Sequence, residues 1–375
     1  MARIALKSIY HSYTFSQKDA EKMSIPDECV GTEGFVVEDL DLLWEDGTAN
    51  ALLGPSGCGK TTILNIISGL LRPTNGTVLF NDKNVTGYMP KERHVAQVFQ
   101  FPVVYDTMNV YGNLEFPLEN RGVSKKDIRR RIETIAEMLD LDDKLKAPIG
   151  SLTPAEKQKV SLGRGIVRED TAAILLDEPL TVIDPKEKWG LRRKLREVQK
   201  ELRITMIYVT HDQHEALTFA DHVTVVKEGQ LVQTGSPEQL YADPNSPFIG
   251  YFIGTPGMNL FDCVLTDAGL QSGNIVIPIS EAIRSKLALT HGSSFQFGIR
   301  PEFVQISAPR KEKWHPFTVT AIESLGPYKI LTLNSNDVEI KSRAPEDMNV
   351  SEEDHVWVNF PEDKSRIFHK DVRLV

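Results

Sequence analysis

Two short stretches carry residues suited to phosphate chemistry. Gly54, Pro55, Ser56, Gly57, Cys58, Gly59, Lys60, Thr61 and Thr62 fit the pattern G-x-x-x-x-G-K-[ST]. Glycines let backbone N–H groups approach phosphate oxygens, Lys60 has the reach for β- and γ-phosphates, and the Thr61 hydroxyl suits Mg²⁺. A ligand-free glycine turn is the plain alternative. The setting argues against it: the loop follows the apolar run ANALLG (49–54) and opens the helical pattern KTTILNIISGL (60–70), so a helix N-terminus adds its positive end. The second stretch, ILLDEP (174–179), closes a buried-strand run with Asp177 and Glu178. Asp177 is placed to hold Mg²⁺ directly or through water. Glu178 is placed to orient and deprotonate an attacking water, because phosphoryl transfer needs positioning and charge neutralisation more than covalent chemistry. Paired acids at a strand end also cap helices, a weaker reading beside a phosphate loop.

These residues need elements to carry them. Residues 1–240 alternate strand-like runs, among them AAILLDEP (172–179) and TMIYVTH (205–211), with amphipathic helices. Such alternation predicts an α/β domain with a mostly parallel sheet. The helix between those two runs should bury Trp189, Leu191, Leu195, Val198 and Leu202 on one side. Residues 124–141, with Ile128, Ile132, Ile135 and Leu139 at helical spacing, predict a separate helix within a helical insertion spanning about 101–160. Around 244–259 the pattern changes. From 260 onward come short β runs (GNIVIPI, SFQFGIR, FTVTAI, KILTLN, VEIKSR, HVWVNF) separated by turns. They predict a second domain, 241–375, an all-β small barrel of OB-like type. The polar stretch 14–34 reads as a loop insertion with no legible function.

A third stretch, SLTPAEKQKV (151–160), reads as a helix start: Thr153 at the N-cap, Pro154 at the first helical position and Glu156 at the third form a capping box.

The chain has 375 residues, net charge −9, 41% hydrophobic and 25% charged residues. That composition predicts two soluble domains and argues against a nucleic-acid partner. The basic clusters SKKDIRRRIE (124–133) and LRRKLRE (191–197) fall in helical patterns and read as solvated faces. Cys29, Cys58 and Cys263 fit neither a disulfide framework nor a zinc site, consistent with reduced thiols in a cytoplasm. No run approaches the roughly 18 apolar residues of a membrane span, and the N-terminus does not read as a signal peptide. Any membrane role must come through partners.

Taken together, residues 1–240 resemble the ATP-binding subunits of ABC transporters, a P-loop NTPase family. VFQFPVVYDTMNVYGNLEFPL (98–118) resembles the glutamine loop, PLTVID (179–184) the loop that pairs two subunits, and VTHDQHEAL (209–217) the switch-histidine segment. The resemblance implies ATP and Mg²⁺ as ligands. It makes Glu178, His211 and Gln100 catalytic, and Thr61, Gln100 and Asp177 the Mg²⁺ donors. Residues 54–62 would bind ATP, Tyr13 would stack on adenine unless it only fills core, and Asp184 would be the pairing-loop acid. GIRPE (298–302) and FIGTPGMN (252–259) resemble the accessory β domain of carbohydrate importers. A narrower likeness is to one of two unlike ATPases in glycerol and polyol uptake systems. The family implies a head-to-tail ATPase pair on the cytoplasmic face of the membrane, two membrane-spanning permease subunits and an external solute-binding protein. The segment after Gln100 would receive a short permease helix.

One motif departs. Where the family has L-S-G-G-Q facing the partner's ATP, this chain has Leu152, Thr153, Pro154, Ala155 and Glu156. Pro154 lacks an N–H donor, the Ala155 Cβ crowds a close approach, and Glu156 brings negative charge. Two unit charges repel by about 4 kcal/mol at roughly 4 Å and an effective dielectric of about 20. The expectation is an asymmetric pair with an unlike ATPase carrying an intact motif. The rival classes are a soluble non-transport ABC ATPase and a regulatory subunit that holds ATP with little hydrolysis.

Overall fold

The computed structural model describes residues 2–14, 34–290, 294–336 and 338–375. The expected insertion at 14–34 and Cys29 fall almost wholly outside them. The chain divides into two units, Met1–Pro237 and Glu238–Val375.

In the first unit, β1 (Ile4–His11), β2 (Val37–Trp44), β4 (Asn75–Phe80) and β5 (Lys83–Asn84) form an antiparallel sheet in the order 2-1-4-5. The second sheet is built from β3 (Ala49–Leu53), β6 (Val95–Val98), β7 (Ala173–Asp177), β8 (Thr205–Thr210), β9 (His222–Lys227) and β10 (Gln230–Gly235). Its order is 10-9-3-8-7-6; all its pairs are parallel except β9–β10. Every residue of β3 and β8 is buried, as expected for parallel strands covered on both faces. The helix α1 (Lys60–Ser68) packs Ile63, Leu64, Ile66 and Ile67 into a core shared with Ile4, Leu6, Val78, Leu175 and Val209.

Three helices, α2 (Val110–Glu119), α3 (Lys125–Met138) and α4 (Pro154–Ile166), lie in the chain between β6 and β7. Ser124 caps α3 by accepting from Asp127 N, and Ile128, Ile132 and Ile135 are buried. The helix ends short of 141 because the chain turns at Leu139–Asp140, where Asp140 has φ +53°. Then α5 (Pro185–Leu202) joins β7 to β8, and α6 (Gln213–Phe219) follows β8.

One burial expectation fails on α5. Leu191, Leu195 and Val198 are buried, but Trp189 is 62% exposed and Leu202 only half-buried. At about 100° per residue, Trp189 lies some 200° round the helix from Leu191, so it faces away from the core.

Among the described residues the second unit contains two antiparallel sheets, of six and five strands. Six of these strands fall on the β runs the sequence displays, whereas Asn259–Thr266, Gly269–Ser272, Gln305–Ser307, Ser365–His369 and Val372–Arg373 lie outside them. Phe261, Phe297, Phe317, Val356 and Phe360 lie in one buried cluster. Arg300, 2% exposed, holds the start of this unit: its guanidinium donates to the carbonyls of Tyr241 and Ile253 and lies 3.7 Å from the Tyr241 ring centroid.

Candidate functional site

The phosphate loop sits between the end of β3 and the start of α1. Glycine is needed where the loop touches its surroundings. A Cβ on Gly54 would lie 2.1 Å from the Val226 carbonyl oxygen, and one on Gly59, at φ +95°, would lie 2.7 Å from that of Val36. The Lys60 ammonium donates to the Gly54 and Pro55 carbonyls at 2.9 and 2.8 Å and is 5% exposed. Cys58 is buried and free, and Cys263 likewise. Burial pushes the Cys58 thiol up, against the opposing pull of Lys60, so the sulfur in this loop stays protonated.

The strand end of β7 lies against the loop. Thr61 Oγ1 donates to Asp177 Oδ1 at 3.3 Å. Burial raises the Asp177 carboxyl above the usual carboxylate range, with Thr61 opposing and Glu178 adding to the rise. A desolvated carboxylate beside a hydroxyl is a hard-oxygen pair suited to Mg²⁺, whose charge would offset the cost of burial. Gln100, half-buried, stands two residues beyond the end of β6, the strand paired with β7. These three donors fit the ion.

Glu178 leaves the strand at φ +46°, a conformation costing about 1–3 kcal/mol for a non-glycine residue. Its N–H is held by the Val209 carbonyl at 3.0 Å. Its carboxylate meets His211 Nδ1 at 3.1 Å and accepts from the Thr181 hydroxyl at 3.2 Å. The strained turn therefore points Glu178 across to the residue that follows β8.

Tyr13 is 64% exposed, which removes the core-filling reading. Its hydroxyl lies 3.1 Å from Thr62 Oγ1, and its ring stands edge-on to His11 at 4.8 Å. Asp184 caps α5, accepting from Lys186 N at 2.9 Å.

The helix start at 153–156 closes on itself. Thr153 Oγ1 accepts from Glu156 N at 3.2 Å, and Thr153 N donates to Glu156 Oε2 at 2.8 Å. The other Glu156 oxygen is paired with the Lys144 ammonium. Burial raises the Glu156 carboxyl, but Lys144 and Thr153 outweigh it and hold it below its ordinary range. Thr153 and Pro154 are exposed, whereas Leu152 and Ala155 are buried.

Several residues that support this site are ones the sequence reading did not single out. Arg93, 2% exposed, donates to the Ile66 and Ile67 carbonyls at the end of α1 and to Tyr88 and Thr86. Gln158 on α4 donates to the Phe99 carbonyl beside Gln100 at 3.0 Å. Glu215, 5% exposed, receives the Thr210 hydroxyl next to His211. PKERHV reads as a solvated polar run, so nothing local marks Arg93.

Known proteins match this arrangement. Residues 37–181 match the ABC transporter family, 254–304 the MalK OB fold domain and 297–368 the TOBE domain. The sn-glycerol-3-phosphate import ATP-binding protein UgpC of Psychromonas ingrahamii is 38% identical over 319 residues, 85% of this chain and 83% of that protein. The chain belongs to the ATP-binding subunits of ABC transporters. As such it hydrolyses ATP. The trehalose/maltose import ATP-binding protein MalK of Thermococcus litoralis is 37% identical over 350 residues, covering 89% of this chain and 93% of its own length. The xylose/arabinose import ATP-binding protein XacK of Haloferax volcanii is 35% identical over 374 residues, covering 98% and 94%. Among solved structures, cbiO1 from Clostridium perfringens, part of the ABC transporter complex cbiONQ, superposes with a TM-score of 0.56 at 25% identity. The match covers 64% of this chain and 90% of that one. Among the described residues no helix is long and apolar enough to cross a membrane.

Proposed function

We propose that this ATPase drives import of a polyhydroxylated solute, a sugar, glycerol or another polyol, from the cytoplasmic face of a membrane. In this reading it works under two membrane-spanning subunits fed by an external binding protein. The printed substrates of its relatives, glycerol-3-phosphate, trehalose or maltose, and xylose or arabinose, support that substrate class.

The residues divide the chemistry among them. On ATP binding, Lys60 exchanges two neutral carbonyl acceptors for anionic β- and γ-phosphate oxygens, which adds opposite-charge attraction to its hydrogen bonds. Thr61, Asp177 and Gln100 are the oxygen donors that would hold Mg²⁺, which neutralises phosphate charge when bound. Glu178 accepts the proton of the water that attacks the γ-phosphorus as the bond to the β-phosphate oxygen breaks. His211, hydrogen-bonded to Glu178, contacts the γ-phosphate. Tyr13 stacks on adenine, and the backbone of 54–62 wraps the phosphates.

The pair is asymmetric, with an unlike ATPase opposite. The carrying observation is the closed start of α4. A helix N-terminus binds phosphate through unoccupied donors, yet here the Glu156 carboxylate takes the Thr153 N–H and is itself pinned by Lys144, and Pro154 contributes no donor. The ATP that faces 152–156 is held or hydrolysed slowly, while the ATP on this chain's own loop turns over against a partner bearing an intact signature. Co-purification from native membranes tests the assembly. One ATPase species in the complex, this chain alone, would refute the unlike pair.

A further inference from the structure

Glu215 is a buried carboxylate that none of the proposed chemistry uses. It sits on α6, four residues past His211, and is 5% exposed. One oxygen, Oε2, accepts two hydroxyls: Thr210 at 2.8 Å and Tyr208 at 3.1 Å. Residues 208 and 210 lie on one face of β8, so the carboxylate grips the last turn of the strand from which His211 emerges. Thr210 Oγ1 also accepts from Asp212 N at 3.0 Å, which holds His211 from its other side. Burial and the neighbouring Glu215 keep the Tyr208 phenol protonated, hence a donor. Oε1 faces the Lys188 ammonium at 3.7 Å. Two hydroxyls alone do not require a carboxylate; a buried negative charge does require a cation. That cation comes from α5, one turn after Asp184 caps it.

We infer that Lys188 and Glu215 are a positioning pair, through which the helix following the pairing loop 179–184 fixes where His211 stands against the γ-phosphate. The pair closes a ring of contacts: Glu178 to His211, Thr210 to Glu215, Glu215 to Lys188, and back along α5 to Asp184 and Thr181, whose hydroxyl binds Glu178. A displacement of 179–184 by the partner subunit thereby reaches both Glu178 and His211. The inference rests on the reading of His211 as a γ-phosphate contact.

The test is steady-state ATPase of the assembled transporter carrying Lys188→Met, Lys188→Arg, Glu215→Gln or His211→Ala. Lys188→Met should lower kcat about tenfold, less than the roughly hundredfold of a 1 Å misplacement, with KM for ATP within about twofold. It should also lower Tm, since Glu215 loses its cation, and adding Glu215→Gln, which removes the stranded charge, should recover Tm without recovering kcat. Lys188→Arg should restore kcat. The double variant Lys188→Met/Glu215→Gln should lose no more than the worse single one. A normal kcat in Lys188→Met overturns the pair, as does a kcat loss that tracks Tm across all variants. An unimpaired His211→Ala instead overturns the underlying reading of His211.

Discussion

Asp177 and Glu178 are neighbours in sequence with unlike surroundings. Asp177 is desolvated against Thr61, whereas Glu178 turns out through a positive φ to meet His211 and Thr181. Their types and adjacency are plain in ILLDEP; the strained turn that separates their roles is not, because a non-glycine αL residue has no sequence mark. The pH behaviour follows from Asp177. Burial raises its carboxyl, so on acidification it takes up a proton before an ordinary carboxylate does. Mg²⁺ must displace that proton to bind, so the apparent Mg²⁺ affinity should fall on the acid side at a higher pH than for a solvent-exposed aspartate. Asp177→Asn should remove that pH dependence in a Mg²⁺ titration with nucleotide present; an unchanged pH dependence in Asp177→Asn would remove Asp177 from the metal site. Lys60→Met should weaken ATP binding by roughly 1.5–3 kcal/mol, the worth of a hydrogen bond to a charged group, read by titration with a fluorescent nucleotide. An unchanged affinity would remove Lys60 from the site.

At the scale of elements, α4 was legible to the residue: Thr153, Pro154 and Glu156 occupy the cap, first and third positions. Lys144, which closes the motif from a separate turn, was not, since a contact between residues twelve apart on different elements leaves no periodic signal. Glu156→Gln keeps a capping-box side chain while removing the charge. Tm should shift by no more than about 1 kcal/mol equivalent, and nucleotide hydrolysis at the site facing 152–156 should rise. A fall in that hydrolysis would mean the carboxylate assists the site. α1 was also legible from its pattern, but the clamp on its far end was not. Burial lowers the Arg93 guanidinium to about 10, still cationic at neutral pH. Arg93→Met strands the Ile66, Ile67, Tyr88 and Thr86 carbonyls, and should cost roughly 2–4 kcal/mol in urea unfolding. α5 shows the limit of reading one helix face: Leu191, Leu195 and Val198 define it, and Trp189 does not belong to it.

Over the whole molecule, the alternation of apolar runs and amphipathic helices carried the class of the first unit, and the short β runs separated by turns that of the second. Strand order did not follow from them. β3 lies between β8 and β9, an arrangement made by crossovers whose partners are set by packing rather than by local pattern. The site inherits that order: β3 delivers the phosphate loop, β7 delivers Asp177 and Glu178, and β8, between them, delivers His211. The departure at 152–156 opens α4 of the same unit, so the unit that holds the phosphate loop and the Glu178–His211 contact also carries a closed helix start. The most direct test mutates the catalytic glutamate of each ATPase separately in the assembled transporter and measures ATP turnover with solute-loaded binding protein. Glu178→Gln in this chain should abolish turnover, while the equivalent change in the partner should leave most of it. Equal losses from the two changes would contradict the account.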